Sequence, residues 1–265
     1  MRIGSVPYLN ACVLVHGLRD REGIELEFDP PSLLAKKLAA GQLDVALASS
    51  IEYLRHPEYA AIPGLSISGL HEMWSIRFFH RTPLTQLRSV VLDPASETTN
   101  SLLKILLGRH ADVHPEYHLP ERDQSIADRA ESADAFLLIG DPALGYCNKA
   151  WSVWDLQAAW HTMTGLPFVY ALWLARPGVD VQQLGVTLRQ CRDAGLAHAA
   201  AIASREAPSR GLSAERAHEY ITRVVRYMLA EDELSGLRRF QEFLDQDGVN
   251  IVQRDDYSSL IETER

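Results

Sequence analysis

Residues 38–53 read LAAGQLDVALASSIEY and contain the end of a helix followed by a buried strand. Gly41 is typical of the residue that ends a helix, here one that Ser32 opens. In LDVALAS, the apolar residues Val45 and Leu47 alternate with small or polar residues in a short run, as expected for a strand in a mostly covered sheet. The stretch therefore predicts one helix–strand repeat of an α/β fold.

The same alternation of strands and helices extends upstream to the first residues of the chain. RIGSVPY at 2–8 and IELEF at 24–28 read as strands, and a helix is predicted between them from about Asn10 to Arg19. This β–α–β–α–β order implies a parallel sheet with right-handed crossovers.

MWSIRFFH (73–80) reads as a strand that leads away from this first unit. A second α/β unit follows, with a predicted strand from Ser89 to Leu92, a helix from about Thr98 to Arg109, the strand HPEYH (114–118), a helix near Ile126 to Glu131 and the strand AFLLIGD (135–141). PFVYALWLA (167–175) then returns as a long buried strand. After Pro177 the pattern is almost all helical, with predicted helices at Val181–Arg205, Ala214–Leu229 and Asp232–Leu244.

The chain is therefore predicted to cross twice between two lobes, near residues 80–90 and 172–177. Lobe I is expected to combine residues 1–86 with 176–265, and lobe II to be inserted as residues 87–175. Two crossings make a hinge, which favours closure like a clamp.

Composition narrows the partners and the location. The formal net charge is −9 and no block of Lys or Arg interrupts it, which argues against nucleic acid or an anionic membrane as partner. No window approaches the roughly 18 uninterrupted apolar residues of a membrane span, and the first ten residues do not read as a signal peptide. The three cysteines are scattered, which suits reduced thiols and a cytoplasmic location.

Several catalytic motifs are absent from the sequence. It has no GxSxG, P-loop, GxGxxG after the first strand or HExxH. Metal, nucleotide and covalent-nucleophile mechanisms are therefore disfavoured.

Asn10 and Ser75 are the first candidate site residues. Asn10 follows a strand and begins a helical pattern, so its side chain either caps the helix or faces a ligand at the carboxyl edge of the sheet. An Asn side chain there can donate to and accept from a substrate hydroxyl. Ser75 lies within the predicted strand 73–80, where a small hydroxyl suits either the core or the floor of a cleft. The residues alone leave both alternatives open.

Hydroxyl side chains also gather at a predicted helix start. Ser96, Thr98 and Thr99 precede or open the helix after SVVLD. A helix N-terminus carries about half a positive charge and can bind an anion, although a plain Ser/Thr cap is the simpler alternative. Glu97 would oppose an anion there unless it points to solvent or caps the helix.

Gly140 and Asp141 end an apolar strand and begin a turn into a short helix. The glycine could let a ligand approach the backbone, whereas Asp141 could simply be another N-cap.

Four motifs together resemble a known family. RIGSVPYLN (2–10), LAAGQLDVALASSIEY (38–53), IGDPAL (139–144) and TGLPFVYALW (164–173) have the order and spacing of the MqnA family, the chorismate dehydratases of the futalosine route of menaquinone biosynthesis. The matches are spread over roughly residues 1–175. The resemblance implies a two-lobed α/β fold like that of the type II periplasmic binding proteins, with two interlobe crossovers and a helical C-terminal part.

The resemblance also implies an activity and a site. The reaction removes water from chorismate, a dicarboxylate, to give 3-[(1-carboxyvinyl)oxy]benzoate, with no metal or organic cofactor. Asn10 and Ser75 match active-site positions of the family. Ser96, Thr98 and Thr99 fall on a helix start similar to a carboxylate-binding site, and Gly140 and Asp141 are expected to bind substrate as well. Nothing in the sequence indicates an oligomeric state.

The chemistry requires a base for the C3 proton of chorismate, and none of the motif residues is an obvious one. Our hypothesis is that the enolpyruvyl carboxylate of the substrate takes this proton. Asn10 and Ser75 would then orient the ring and the leaving hydroxyl, while lobe closure excludes water.

Two alternatives stay open at the level of sequence. One is a non-catalytic cytoplasmic protein of the same fold that binds a small anion, since fold does not decide function. The other is the sister enzyme of the same pathway, 1,4-dihydroxy-6-naphthoate synthase, whose opening motif is richer in Cys, Pro and Asp than SVPYLN.

Overall fold

A computed structural model describes residues 1–121 and 124–261. Within these residues the strands are β1 (Arg2–Ser5), β2 (Glu25–Phe28), β3 (Val45–Ser49), β4 (Ala60–Gly69), β5 (Ile76–His80), β6 (Ser89–Val91), β7 (Glu116–His118), β8 (Ala135–Ile139), β9 (Ser152–Asp155) and β10 (Phe168–Ala175). They form two five-stranded sheets, with strand orders β2-β1-β3-β10-β4 and β7-β6-β8-β5-β9. The sequence did not predict β4 or β9.

Both sheets combine parallel and antiparallel pairs. In the first sheet β1 pairs in parallel with β2 and β3, which confirms the predicted parallel unit, and β10 runs antiparallel to β3 and β4. In the second sheet β6 pairs in parallel with β7 and β8, and β5 runs antiparallel to β8 and β9. The antiparallel strands β5 and β10 mark the two changes of sheet. β5 is the first strand of the second sheet along the chain, and β10 returns the chain to the first sheet.

The chain changes sheets earlier than the sequence predicted. The strand at 76–80 pairs with β8 and β9 of the second sheet, and the strand at 168–175 pairs with β3 and β4 of the first. The crossings expected near 80–90 and 172–177 therefore lie before residue 76 and before residue 168. Which sheet a strand belongs to is decided by its hydrogen-bond partners. The apolar patterns of these two strands show that they are buried but do not show which sheet they join. Of the expected lobes, residues 122, 123 and 262–265 lie outside the described residues.

The helices cover the sheets and build the C-terminal part. They are α1 (Pro31–Ala39), α2 (Ser50–Arg55), α3 (Glu97–Ile105), α4 (Ile126–Ser132), α5 (Gly140–Gly145), α6 (Leu156–Thr164), α7 (Val181–Ala197), α8 (Ala199–Glu206), α9 (Ala214–Glu219) and α10 (Glu231–Gln246). In addition, π-helical turns follow α3 at Leu106–His110 and α9 at Tyr220–Val224.

Some predicted helices are shorter or divided. The segment expected as one helix over 181–205 is two helices, with a break at His198. The segment 214–229 is helical only as far as Val224 and then extended, with a bridge between Ser68 and Arg226. The last helix agrees with the prediction to within two residues at each end.

The helix predicted from Asn10 to Arg19 is wrong. The structure has 3-10 helices at Leu9–Ala11 and Leu18–Asp20 joined by turns. A Cβ at Gly195 of α7 would lie 2.2 Å from the carbonyl oxygen of Val13. The glycine thus lets the C-terminal helices approach this turn directly, and that packing overrides the local helical pattern.

The apolar core is continuous between the sheets. A single cluster of buried side chains contains Leu47 and Trp173 from the first sheet together with Phe78 and Leu137 from the second. The sheets are therefore packed together in this conformation. Among the described helices, none is long and apolar enough to cross a membrane.

Candidate active site between the sheets

Asn10 lies just beyond the end of β1, in the 3-10 helix Leu9–Ala11. Tyr8 precedes this helix, so Asn10 is not in the capping position that the sequence left open. Its side chain is 8% exposed, and its Oδ1 atom is buried without a hydrogen-bond partner among the described residues. Buried acceptors without a donor are uncommon in proteins, and a ligand that supplies the donor when it binds would explain this one.

Ser75 lies immediately before β5, where the chain enters the second sheet. It is buried, and its Oγ atom accepts a hydrogen bond of 2.7 Å from the Tyr220 hydroxyl. The Asn10 side chain is the other neighbour of this hydroxyl, since it opposes the rise in the pKa of Tyr220. The structure thus brings the two predicted catalytic residues together around one buried tyrosine.

The three predicted hydroxyl residues open α3 as expected from the sequence. Ser96 caps the helix, since its Oγ accepts from the Thr99 backbone N–H at 3.3 Å. The Thr99 hydroxyl lies 3.0 Å from Ser96 Oγ, and Ser96 Oγ lies 3.4 Å from Ser49 Oγ at the end of β3. Thr98 Oγ1 accepts from the Ile51 backbone N–H at 3.0 Å. These bonds join the helix start of the second unit to the carboxyl edge of the first sheet.

Glu97 points away from this cluster. Its side chain is 45% exposed and pairs with Arg55 at 3.5 Å. Solvent and Arg55 therefore screen its charge from the helix N-terminus.

Gly140 has a left-handed backbone with φ of 65°, and a Cβ there would lie 2.7 Å from the Tyr8 ring. Its N–H donates to the carbonyl oxygen of Ser75 at 2.8 Å. The glycine thus brings the end of β8 close to both the Tyr8 ring and the Ser75 backbone.

Asp141 connects three parts of the fold. Its Oδ1 accepts from the Leu9 N–H at 2.8 Å, and its Oδ2 accepts from Arg210 Nε at 2.6 Å. Arg210 also donates to the carbonyl oxygen of Pro7 and pairs with Glu206. Burial raises the pKa of Asp141, although the Leu9 N–H and Arg210 oppose this shift. Asp141 therefore holds the turn that carries Asn10.

Buried Asp93 orders the neighbouring edge of the second sheet. Its carboxylate accepts from the Ala95 and Ile139 backbone N–H groups. Burial raises its pKa, and those N–H groups together with the charge of Arg129 oppose the shift. Because its oxygens face backbone donors of the protein, Asp93 is placed to organise the site rather than to accept a substrate proton.

Sequence reasoning missed Tyr220 and Arg210. Both come from the C-terminal part, 145 residues from Ser75 for Tyr220 and 69 residues from Asp141 for Arg210. Neither lies in a motif or at a strand end, so no local signal indicated them. The one structural hint is the π turn that begins at Tyr220, because such turns occur frequently at functional sites.

Among residues 1–121 and 124–261, no group of three or more His, Cys, Asp or Glu side chains is placed to hold a metal ion. The arrangement instead offers hydroxyl, amide and backbone N–H donors, which can orient a polar, anionic molecule.

Residues 1–246 match the model of a protein family described as menaquinone biosynthesis. Among curated proteins, a chorismate dehydratase of Thermus thermophilus is 31% identical over 265 aligned residues, covering 91% of this chain and 94% of that protein. A chorismate dehydratase of Campylobacter jejuni is 26% identical over 251 residues, covering 91% and 96%.

Solved structures show a shared fold. A protein of Archaeoglobus fulgidus has a TM-score of 0.74 at 20% identity, covering 94% of this chain and 97% of that one. The periplasmic aliphatic sulphonate binding protein of Escherichia coli has a TM-score of 0.65 at 12% identity, covering 98% and 95%. These likenesses confirm the predicted fold of the periplasmic-binding-protein type.

Proposed function

The chain belongs to the menaquinone-biosynthesis family, and from this premise we propose that it is a chorismate dehydratase, a hydro-lyase that converts chorismate to 3-[(1-carboxyvinyl)oxy]benzoate and water. The observation that carries the assignment is the similarity to the Thermus thermophilus chorismate dehydratase over 91% of the chain. The site supports it, because Asn10 and Ser75 meet around Tyr220 where the two sheets join.

The reaction depends more on the alignment of the reacting groups of chorismate than on a strong acid or base. The C3–H bond of chorismate breaks and its electrons enter the ring, the C4–O bond breaks with its electron pair on oxygen, and the C3 proton and the C4 hydroxide leave as water. Formation of the aromatic ring drives these steps. The enolpyruvyl carboxylate, which is attached at C3, takes the proton, while Asn10 and Ser75 orient the ring and the leaving hydroxyl.

We assign the remaining predicted residues to substrate placement. The N-terminus of α3, with the hydroxyls of Ser96, Thr98 and Thr99, favours a carboxylate of the substrate. Gly140 and Asp141 follow β8, which pairs with β6, the strand before α3, and they hold Tyr8 and the turn with Asn10.

Binding and release require the sheets to separate. We propose that the moving lobes follow the sheets, so that residues from about 71 to 167 form the second lobe and the rest form the first. The ion pair between Arg210 and Asp141 and the contacts of Ser96 and Thr98 with the first sheet would then open together. We further propose that the enzyme acts in the cytoplasm, since all three cysteines are free.

The test is to incubate the purified chain with chorismate and EDTA and to follow the substrate and product by chromatography and mass spectrometry. We expect an aromatic product lighter than chorismate by one water. Thermal stabilisation by chorismate without product would instead favour a binding protein of the same fold. Neither product nor stabilisation would contradict the assignment of the substrate.

A further inference from the structure

Tyr220 contacts both residues that we propose to act on the substrate. Its side chain is fully buried. Its hydroxyl donates to Ser75 Oγ across 2.7 Å, and the Asn10 side chain is near enough to lower the pKa of the phenol. The C-terminal part of the chain thus reaches the centre of the site through one phenol group.

The surroundings of Tyr220 hold its ring in place. Tyr220 is the first residue of the π-helical turn that follows α9. It stacks on Trp74, with centroids 6.2 Å apart and planes 23° from parallel, and the guanidinium of Arg216 lies over the Trp74 ring at 4.5 Å. Because Trp74 is the neighbour of Ser75 in the chain, the same contact fixes the phenol and the serine relative to each other.

The direction of the hydrogen bond determines where the Ser75 proton can point. A serine hydroxyl has one proton to donate and two lone pairs that accept. Tyr220 is the donor to Ser75 Oγ, so the Ser75 proton is left for another acceptor. Asn10, whose side chain also acts on the pKa of this phenol, has its Oδ1 buried without a partner in the described part of the chain. The Ser75 proton and the Asn10 oxygen are therefore two groups beside Tyr220 that a substrate can engage.

We propose that Tyr220 is a positioning residue for the dehydration: by donating to Ser75 Oγ, it keeps the Ser75 proton directed at the hydroxyl that leaves chorismate. This inference rests on the proposed function. Tyr220 acts through Ser75, and no bond to Tyr220 forms or breaks. The proton from C3 and the hydroxide from C4 still account for the released water.

The phenol keeps its proton at neutral pH. Burial raises the pKa of Tyr220 above its ordinary value, and the hydrogen bonds with Ser75 and Asn10 oppose this only in part. Tyr220 is therefore a donor throughout the range in which the enzyme would work.

The test compares Tyr220→Phe with Tyr257→Phe. Each variant removes one hydroxyl from a buried tyrosine and keeps the ring. Tyr257 is the matched control because its hydroxyl also donates a buried hydrogen bond, at 2.6 Å to Gln241 Oε1 of α10, which we do not place in the site. We expect Tyr220→Phe to lower kcat for chorismate roughly tenfold to a hundredfold with KM changed less than about threefold, and Tyr257→Phe to leave both near wild type.

A double variant with Ser75→Ala separates positioning from a general loss of packing. If Tyr220 acts through Ser75, the variant carrying both Ser75→Ala and Tyr220→Phe turns over chorismate about as fast as Ser75→Ala alone. Losses that multiply in the double variant would overturn the proposal, and so would wild-type kcat in Tyr220→Phe.

Two further results distinguish a failure of this inference from a failure of the proposed function and from misfolding of the variant. Absence of product from the wild-type enzyme would overturn the proposed function and this inference together, whereas product from wild type with equal rates in the two Tyr→Phe variants would overturn the inference alone. If Tyr220→Phe does not fold by circular dichroism, a tyrosine with a multiply fluorinated ring replaces Tyr220. It keeps the ring and the hydroxyl but lowers the phenol pKa strongly, so a fall in kcat that wild type lacks between about pH 7 and pH 10 should appear there, and a profile as flat as that of wild type would contradict the proposal.

Discussion

Asn10 has a buried amide oxygen for which the described residues provide no donor. An acceptor of this kind contributes no stabilising bond and carries a desolvation cost. Function is therefore the better explanation for its presence, and its removal should affect turnover more than folding.

We accordingly expect Asn10→Ala to lower kcat for chorismate by roughly a hundredfold or more, as for loss of a group that orients the reacting atoms. Its melting temperature should stay within about 4 °C of wild type. Steady-state kinetics and thermal melts measure both effects. Asn148→Ala is the matched control, because Asn148 is exposed and lies outside the site. A folded Asn10→Ala enzyme with near-native turnover would remove Asn10 from the mechanism.

The pH dependence of kcat follows from Tyr220. An ordinary tyrosine ionises near pH 10 and would lose its donor there. Burial raises the pKa of Tyr220 above that value, so the donor persists as the pH rises. Between about pH 7 and pH 10, kcat should therefore show no fall due to this group, provided that circular dichroism shows a folded protein. A loss of kcat with an apparent pKa of about 9 that disappears in Tyr220→Phe would contradict this.

At the scale of elements, the junction between β8 and α5 depends on Gly140. Alanine there meets two penalties: a left-handed backbone and a contact of 2.7 Å with the Tyr8 ring. At Gly165, which ends α6, φ is 72° but no atom lies within 4 Å of a Cβ. The two glycines thus differ in packing and agree in backbone conformation.

Gly140→Ala should therefore lose more stability than Gly165→Ala, which is expected to lose about 1 kcal/mol through backbone strain alone. Gly140→Ala should also lower turnover, since a displaced Tyr8 moves the turn that carries Asn10. Chemical denaturation and chorismate kinetics test the two parts. Equal losses of stability would mean that the Tyr8 contact relaxes without cost.

Elements also show what the sequence could predict. Short strands such as β3 and β8 could be predicted because their residues are mostly apolar, and the structure buries both strands along their whole length. The strand β5 was identified as well, but its sheet was not, since partner choice is decided by pairing far along the chain. The predicted helix from Asn10 to Arg19 failed because packing on α7 outweighs local propensity.

The site likewise contains some residues that the sequence could predict and others that it could not. Asn10, Ser75 and the start of α3 were found from strand ends, helix starts and family motifs. Tyr220 and Arg210 were not, because their roles arise only when the C-terminal helices pack beside β1 and β5. A single sequence carries no local mark of such distant contacts.

At the scale of the whole molecule, Arg210 connects the two sheets. Its Nε donates to Asp141 beyond β8, and its other nitrogens contact Pro7 beyond β1 and Glu206 of α8. The Arg210 side chain is 12% exposed, so this ion pair is screened by solvent less than a surface pair.

Arg210→Gln should therefore shift the unliganded protein towards an open form. We expect a larger radius of gyration by small-angle X-ray scattering, and a KM for chorismate raised several-fold because closure must then be driven by binding. Arg205→Gln is the control, since Arg205 is exposed and pairs with Glu206 of the same helix, so this change leaves the Arg210 contacts with Asp141 and Pro7 in place. Identical scattering and KM for wild type and Arg210→Gln would show that this contact does not hold the lobes together.

We propose that chorismate loses water where Asn10, Ser75 and Tyr220 meet between the sheets. The most direct measurement is a crystal structure of Asn10→Ala grown with chorismate, since this variant should retain the intact substrate. We expect chorismate between the sheets, with its C4 hydroxyl within hydrogen-bond distance of Ser75 Oγ and a carboxylate at the start of α3. Chorismate bound elsewhere, or seated in the cleft with its C4 hydroxyl away from Ser75, would contradict it.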